Sequence, residues 1–118
     1  MAILSEQQLH NLAMNIVGKD LKNLGYEFLA VNSKLNKNPQ FVALRDKKLH
    51  FVVVRAVAYP NDPSNFDQAL LTKMKNHADK YNAKTFYAGV GLAHIDSYDR
   101  PVDSESDYVV NYSGLKEI

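Results

Sequence analysis

Residues 40–59, QFVALRDKKLHFVVVRAVAY, decide the fold. Two runs rich in strand formers, QFVALR and LHFVVVRAVAY, flank Asp46-Lys47-Lys48, a connection short enough only for a tight hairpin. With Asp46 and Lys47 at its tip, Arg45 faces Lys48, and the register sets Gln40 opposite Val53 and Asn38 opposite Arg55. Side chains alternate along a strand, so Leu49, Phe51, Val53, Arg55, Val57 and Tyr59 share one face, turned the same way as Gln40. That face is apolar around one cation, Arg55.

Upstream, Ser5 with Gln8 three residues later forms an S-x-x-Q capping box. Leu9, Leu12, Ala13, Ile16, Val17 and Leu24 follow at helical spacing, and Gly25 suits the left-handed position that closes a helix. Gly18 costs helix propensity unless a close contact requires it. YEFLAVN gives a strand at about 26–32, which SKLNKNP then breaks.

Downstream, PNDPSN is loop chemistry. Ser64 is placed to cap a second helix starting near Asn65, with Asp67 at its third position, and running to about Tyr81. Its stripe is Leu70, Met74, His77, Ala78 and Tyr81. AKTFYAGVGL (83–92) reads as a buried fourth strand, and DYVVNY (107–112) as a fifth strand or edge. The hairpin is antiparallel, and a crossover through the second helix makes the fourth strand parallel to the third. The expected fold is one α/β domain over 1–118: a mixed four- to five-stranded sheet flanked by two helices, with a core over about 5–93 and an acidic tail over about 94–118.

Composition narrows the function. Among 118 residues, 46% are hydrophobic and 23% charged, which is globular rather than disordered. No run approaches the roughly 20 apolar residues that cross a bilayer, so no membrane insertion and a cytoplasmic location are expected. Zero cysteines exclude disulfides, thiolate zinc sites, cysteine nucleophiles and cysteine-ligated iron–sulfur clusters. Residues 1–95 carry 12 Lys/Arg against 7 Asp/Glu, whereas 96–118 carry 2 against 6. The basic body is compatible with a phosphate-binding surface.

The run AMNIVGKDLKNLGYEFLAVNSK (13–34), continued by PQFVALRDKKLHFVVVRAVAY (39–59), resembles the N-terminal half of predicted endonucleases with the PD-(D/E)XK, restriction-endonuclease-like fold. The small Holliday-junction-resolvase-like kind is nearest in its order of elements. That resemblance covers about residues 10–92, and its most particular piece is the turn GY-x-x-L-x-x-N. In that family an Asp, and a Glu and a Lys two residues apart, converge on a divalent metal that activates water. Aligned on the hairpin, the Asp falls on Gln40, the Glu on Val53 and the Lys on Arg55. The acid that some members add from the first helix falls near Met14 or Asn15. None of these is a carboxylate, and an amide with a valine offers magnesium almost no ligand. Arginine keeps the charge but cannot serve as a base. The resemblance therefore implies the fold without the catalysis.

The whole chain is also similar, through LHNLAMNIVGKDL, FLAVNSKL, LHFVVVRA and YAGVGLA, to short bacterial proteins that carry the label of the iron–sulfur flavoprotein component of the sodium-translocating NADH:quinone reductase. The cluster, flavin and membrane anchor of that component have no counterpart here, so the label implies at most an accessory role beside a respiratory complex.

Other chemistry is weaker. His10, His50, His77 and His94 show no metal-binding spacing, and His77 reads as a partly buried helix residue. HIDSYD sets two acids near His94 in what reads as a solvated loop. Gly89 and Gly91 form a G-x-G without the third glycine of a dinucleotide fingerprint, and a close approach at the strand end explains them better. No cofactor and no metal are expected. The expected role is a non-catalytic, endonuclease-like binding or scaffold protein, contacting nucleic acid through Arg55, Lys34, Lys37, Lys47 and Lys48. The alternative is a protein-interaction subunit, including a homodimer formed through the strand 3 face and DYVVNY. A divalent-metal nuclease with a displaced site comes third.

Overall fold

A computed structural model describes residues 2–35 and 37–118; Met1, and Asn36 within the expected 33–39 loop, lie outside the described residues. Helix α1 (Glu6–Asn23) starts as its capping box dictates: the Gln8 N–H donates to Ser5 Oγ at 3.2 Å and the Ser5 N–H to Gln8 Oε1 at 2.8 Å. Gly25, at φ 88°, turns the chain out of the helix. Strands β1 (Glu27–Val31), β2 (Phe41–Arg45) and β3 (Lys48–Ala58) form an antiparallel meander. The β2–β3 turn has positive φ at both Asp46 and Lys47, the geometry a two-residue hairpin needs. Helix α2 (Gln68–Asp79) crosses over to β4 (Lys84–His94), which runs parallel to β3.

The last two strands, β5 (Tyr108–Tyr112) and β6 (Lys116–Glu117), both pair antiparallel with β4, giving the order β1-β2-β3-β4-β5 with β6 beside β4. The fold is thus the expected mixed α/β sheet flanked by two helices, with six strands where four or five were expected. Two residues are too short a strand to show a period, and β6 is fixed by register against Phe86 and Tyr87.

The middle of strand β3, Phe51–Val54, is apolar because both of its faces are covered there. Val52 and Val54 pack under α1 with Ala13, Met14, Val17 and Leu21, while Phe51 and Val53 pack under α2 with Leu71, Met74 and Ala78. Each such fully buried side chain contributes about 1.5–3 kcal/mol, so this central strand and its two helical covers dominate the stability. The Tyr112 hydroxyl, 2.7 Å from Asp20 Oδ2, ties β5 to α1.

Several expectations are corrected. The strand 3 face cannot meet a second copy, because α2 occupies it; the edge strands are β1 and β5. The second helix begins three residues later than expected: Asp67 is its N-cap, accepting from the Leu70 N–H at 3.1 Å, and the Ser64 hydroxyl instead donates to Asp62. His77 is exposed, and Leu71 rather than Leu70 sits in the core. On α1 the buried residues are His10, Ala13, Met14, Val17 and Leu21, with Leu9, Leu12 and Ile16 flanking them. The acidic segment 94–118 is built into the domain, with Val102 and Asp103 buried and Tyr112 and Leu115 packed on the core.

Gly18 has no tight contact to protect. A Cβ there would meet the Phe41 ring at 3.5 Å, an ordinary contact. Gly18→Ala is therefore expected to stabilise the protein by about 0.5–1 kcal/mol, read as a higher denaturation midpoint at unchanged m-value. Destabilisation would mean that α1 sits closer to β2 than described.

Candidate functional site

The site arises where β2 stops and β3 continues. Pairing of β2 with β3 ends at Phe41 opposite Val52, where the Gln40 N–H also donates to the Val52 carbonyl at 3.0 Å, a bulge that breaks the register before β2 can give Val54 a ladder partner. Two side chains take over the missing backbone. The fully buried Gln40 accepts the Val54 N–H at Oε1, 2.7 Å away, and Arg55 Nη1 donates to the Val54 carbonyl at 2.8 Å. Asn38 Oδ1 joins the two, accepting from Gln40 Nε2 and from Arg55 Nη2, each at 2.9 Å. The arginine is thus anchored by neutral acceptors, and no carboxylate comes within ion-pair distance of it among the described residues.

Beyond this anchor, the free stretch of β3 forms one wall of a cleft of about 400 Å³, and α1 forms the other. Its lining includes Glu6, Leu9 and His10 from α1, Leu35 from the loop, Arg55 through Ala58 of β3, and Asn61. Glu6 and His10 are one helical turn apart, which places them on one face of α1. His10 is 1% exposed, and among the described residues neither ring nitrogen has a hydrogen-bond partner. Burial first, and the Arg55 charge second, hold its pKa below the ordinary histidine value, so the ring is neutral at pH 7. It offers one N–H and one lone pair. Burial likewise lowers the Arg55 pKa, with Tyr87 and Asp67 opposing, but a guanidinium stays charged. Among the described residues only two of its five N–H donors are committed.

The positions singled out in the sequence are only partly brought together. Gln40 and Arg55 meet through Asn38, whereas Val53 is fully buried on the α2 side, away from the cleft. Met14 is in the core. Lys34 and Lys37 are exposed on the loop leading to Asn38, and Gln40 Nε2 also reaches the Lys37 carbonyl at 3.2 Å. Lys47 and Lys48 stand at the opposite end of β3, roughly 23 Å from Arg55 at the rise of an extended strand. Among the described residues no group of three or more His, Cys, Asp or Glu is placed to hold a metal ion.

Sequence reasoning missed His10 and Glu6. The spacing E-x-x-x-H on α1 was visible, but nothing in it showed that the histidine would be left unpartnered. His94 proves buried, not part of a solvated loop; its partner is Asp103, nine residues on, rather than the nearby acids. Gly89 and Gly91 lie inside β4, with no helix following, and Gly89 makes the close approach expected of it, against Pro63.

The chain belongs to the family described as a domain of unknown function, DUF8840, whose model matches residues 7–118. No solved structure matches the chain. No helix among the described residues is long and apolar enough to cross a membrane.

Proposed function

We propose that this domain is a pseudo-nuclease: a restriction-endonuclease-like architecture that binds nucleic acid without cleaving it, receiving a backbone phosphate at Arg55. The observation that carries the reading is a half-buried guanidinium at a cleft, fixed by neutral acceptors and left without a carboxylate. A buried or half-buried charge without a counter-ion is costly, and an incoming phosphate offsets that cost with charge-assisted hydrogen bonds. Support for the architecture comes from the element order, an antiparallel meander followed by a helical crossover to a parallel strand. Lys34 and Lys37 supply further charge at the rim, and neutral His10 a hydrogen-bonding partner for the ligand's sugar or base.

The test is binding of a labelled single-stranded or branched DNA by the full chain over a salt series, with Mg²⁺ present. Arg55→Ala is expected to weaken binding by about tenfold or more and to flatten its salt dependence, with no cleavage by either protein. Affinity indifferent to both salt and Arg55 sinks the reading, and cleavage overturns its non-catalytic part.

One observation favours a second reading, a protein-interaction module. Edge strand β1 exposes Phe28, Leu29 and Val31, the kind of edge that another chain can extend. A constant protein partner held in the absence of nucleic acid would favour it.

A further inference from the structure

At the far end of the sheet from Arg55, strands β2, β3 and β4 bring cations together. Arg45 and Lys48 lie directly opposite each other in the hairpin, Lys84 lies opposite His50 in the next strand pair, and Phe86 follows on the same face. These five residues, Tyr26 and Asp46 line a cavity of about 360 Å³. Like charges directly across a strand pair repel, so a structure with no use for the arrangement would gain by separating them. The acids present, Asp46 in the turn and Glu117 on β6, are fewer than the cations, and the Asp46–Arg45 contact of 3.7 Å is solvent-exposed.

The second observation is His50. It is 6% exposed, held with its ring edge-on to Tyr26 and stacked on Phe86, and among the described residues its buried Nδ1 has no hydrogen-bond partner. Arg45 is itself fixed over the Tyr26 ring, 5.3 Å from its centroid, and Lys48 Nζ is held 3.2 Å from Asn82 Oδ1. Arg45 and Lys48 are thus positioned by the fold before any ligand arrives.

We propose that this cavity is a second anion site, specific for a phosphate monoester. Three terminal oxygens and a charge near −2 match an arginine fork and two lysines better than a single carboxylate or a diester does. Lys47, at the turn, lies outside the lining. The site is independent of the Arg55 cleft, since the two are separated by most of the length of β3.

The test uses the full chain, isotopically labelled, titrated with inorganic phosphate and with adenosine 5′-monophosphate against chloride at equal ionic strength. Saturable NMR shifts are expected at residues 45–50 and 84–86. Lys48→Ala and Lys84→Ala, both surface changes that leave the core intact, should each weaken binding by about tenfold, and Arg55→Ala should leave it unchanged. A 5′-phosphorylated oligonucleotide binding more tightly than adenosine 5′-monophosphate identifies the monoester as a nucleic-acid end; equal affinity identifies a free metabolite phosphate. Shifts that chloride reproduces, equal binding of the oligonucleotide lacking its 5′-phosphate, or indifference to both lysine changes would overturn the proposal.

Discussion

Gly89→Ala is expected to destabilise the protein by about 3 kcal/mol, the upper range for an overpacked core site, and to lower its melting temperature by roughly 10–15 °C. A Cβ at this position would run into the backbone carbonyl oxygen of Pro63 and come within 2.8 Å of the Tyr87 ring and hydroxyl. The collision is with main chain, so no rotamer change relieves it. Either β4 shifts within the sheet or the 59–66 loop lifts away, and the second course breaks the 2.8 Å hydrogen bond from the buried Tyr87 hydroxyl to that same carbonyl. Gly91 provides the control. Its Cβ would meet Pro63 Cγ at 3.2 Å and Asn111 Cβ at 3.3 Å, close contacts with side chains that can yield. Urea denaturation of the two variants should separate them by more than about 1 kcal/mol. Equal effects would show that the loop is not seated on β4 at Gly89, and Pro63→Ala should not rescue Gly89→Ala, because the obstructing atom is backbone.

The G-x-G of β4 illustrates what one sequence can and cannot convey. The absence of a third glycine argued against a phosphate loop and for a close approach, but the approaching element, a proline 26 residues earlier, was not visible. The hairpin was legible because everything that sets it is local: a two-residue turn, alternation on both sides and no competing glycine. The start of α2 was not, because Ser64 and Asp67 are both competent caps three residues apart. Choice between them falls to tertiary contacts: Phe66 packs against Tyr87, with ring centroids 5.1 Å apart, and the Ser64 hydroxyl is already engaged with Asp62.

The candidate site divides the same way. Arg55 announced itself as a charge within an apolar strand, and it does meet Asn38, through a side-chain hydrogen bond rather than through the expected pairing, which breaks at Gln40. Its setting did not announce itself, because the ladder breaks at Gln40 and the Gln40 and Arg55 side chains take the Val54 N–H and carbonyl in its place, a relation among three segments. His10 was hidden for a different reason. What marks it is that nothing reaches its ring nitrogens, and an absence of neighbours has no sequence signature. The cationic end of the sheet was half visible: Lys48 stands beside the turn in the sequence itself, while Arg45, Lys84 and His50 join it only through pairing of β2, β3 and β4.

Replacing His94 by alanine is expected to cost about 3 kcal/mol at pH 7, through the cavity and through the hydrogen bonds lost from a fully buried side chain. His94 Nδ1 accepts the Asp96 N–H at 3.1 Å, which leaves Nε2 carrying the proton it shares with Asp103 Oδ2 at 3.1 Å. Asp103 in turn accepts from the Glu105 and Ser106 N–H groups at 2.9 and 2.8 Å and from the Ser106 hydroxyl at 3.3 Å. Burial alone would raise this carboxyl, but those hydrogen bonds outweigh it and hold its pKa below the ordinary carboxylate value. The direction fixes the pH dependence. A carboxyl with a depressed native pKa contributes its full stability above the unfolded value of about 3.9 and loses it as pH falls through the native one. Asp103→Asn should therefore be less stable than wild type at pH 7, and the gap should close between pH 4 and the lower end of the accessible range. Because the N-terminal segment docks here, with Leu4 N–H on the Val102 carbonyl at 3.0 Å and Ser104 N–H on that of Ala2 at 2.9 Å, both variants should also speed hydrogen exchange at Leu4 and Ser104. A deficit for Asp103→Asn that stays constant from neutral to acid pH would refute the assignment of an ionised Asp103, and a His94→Ala cost below about 1 kcal/mol would show that the pair does not hold this end of the sheet together.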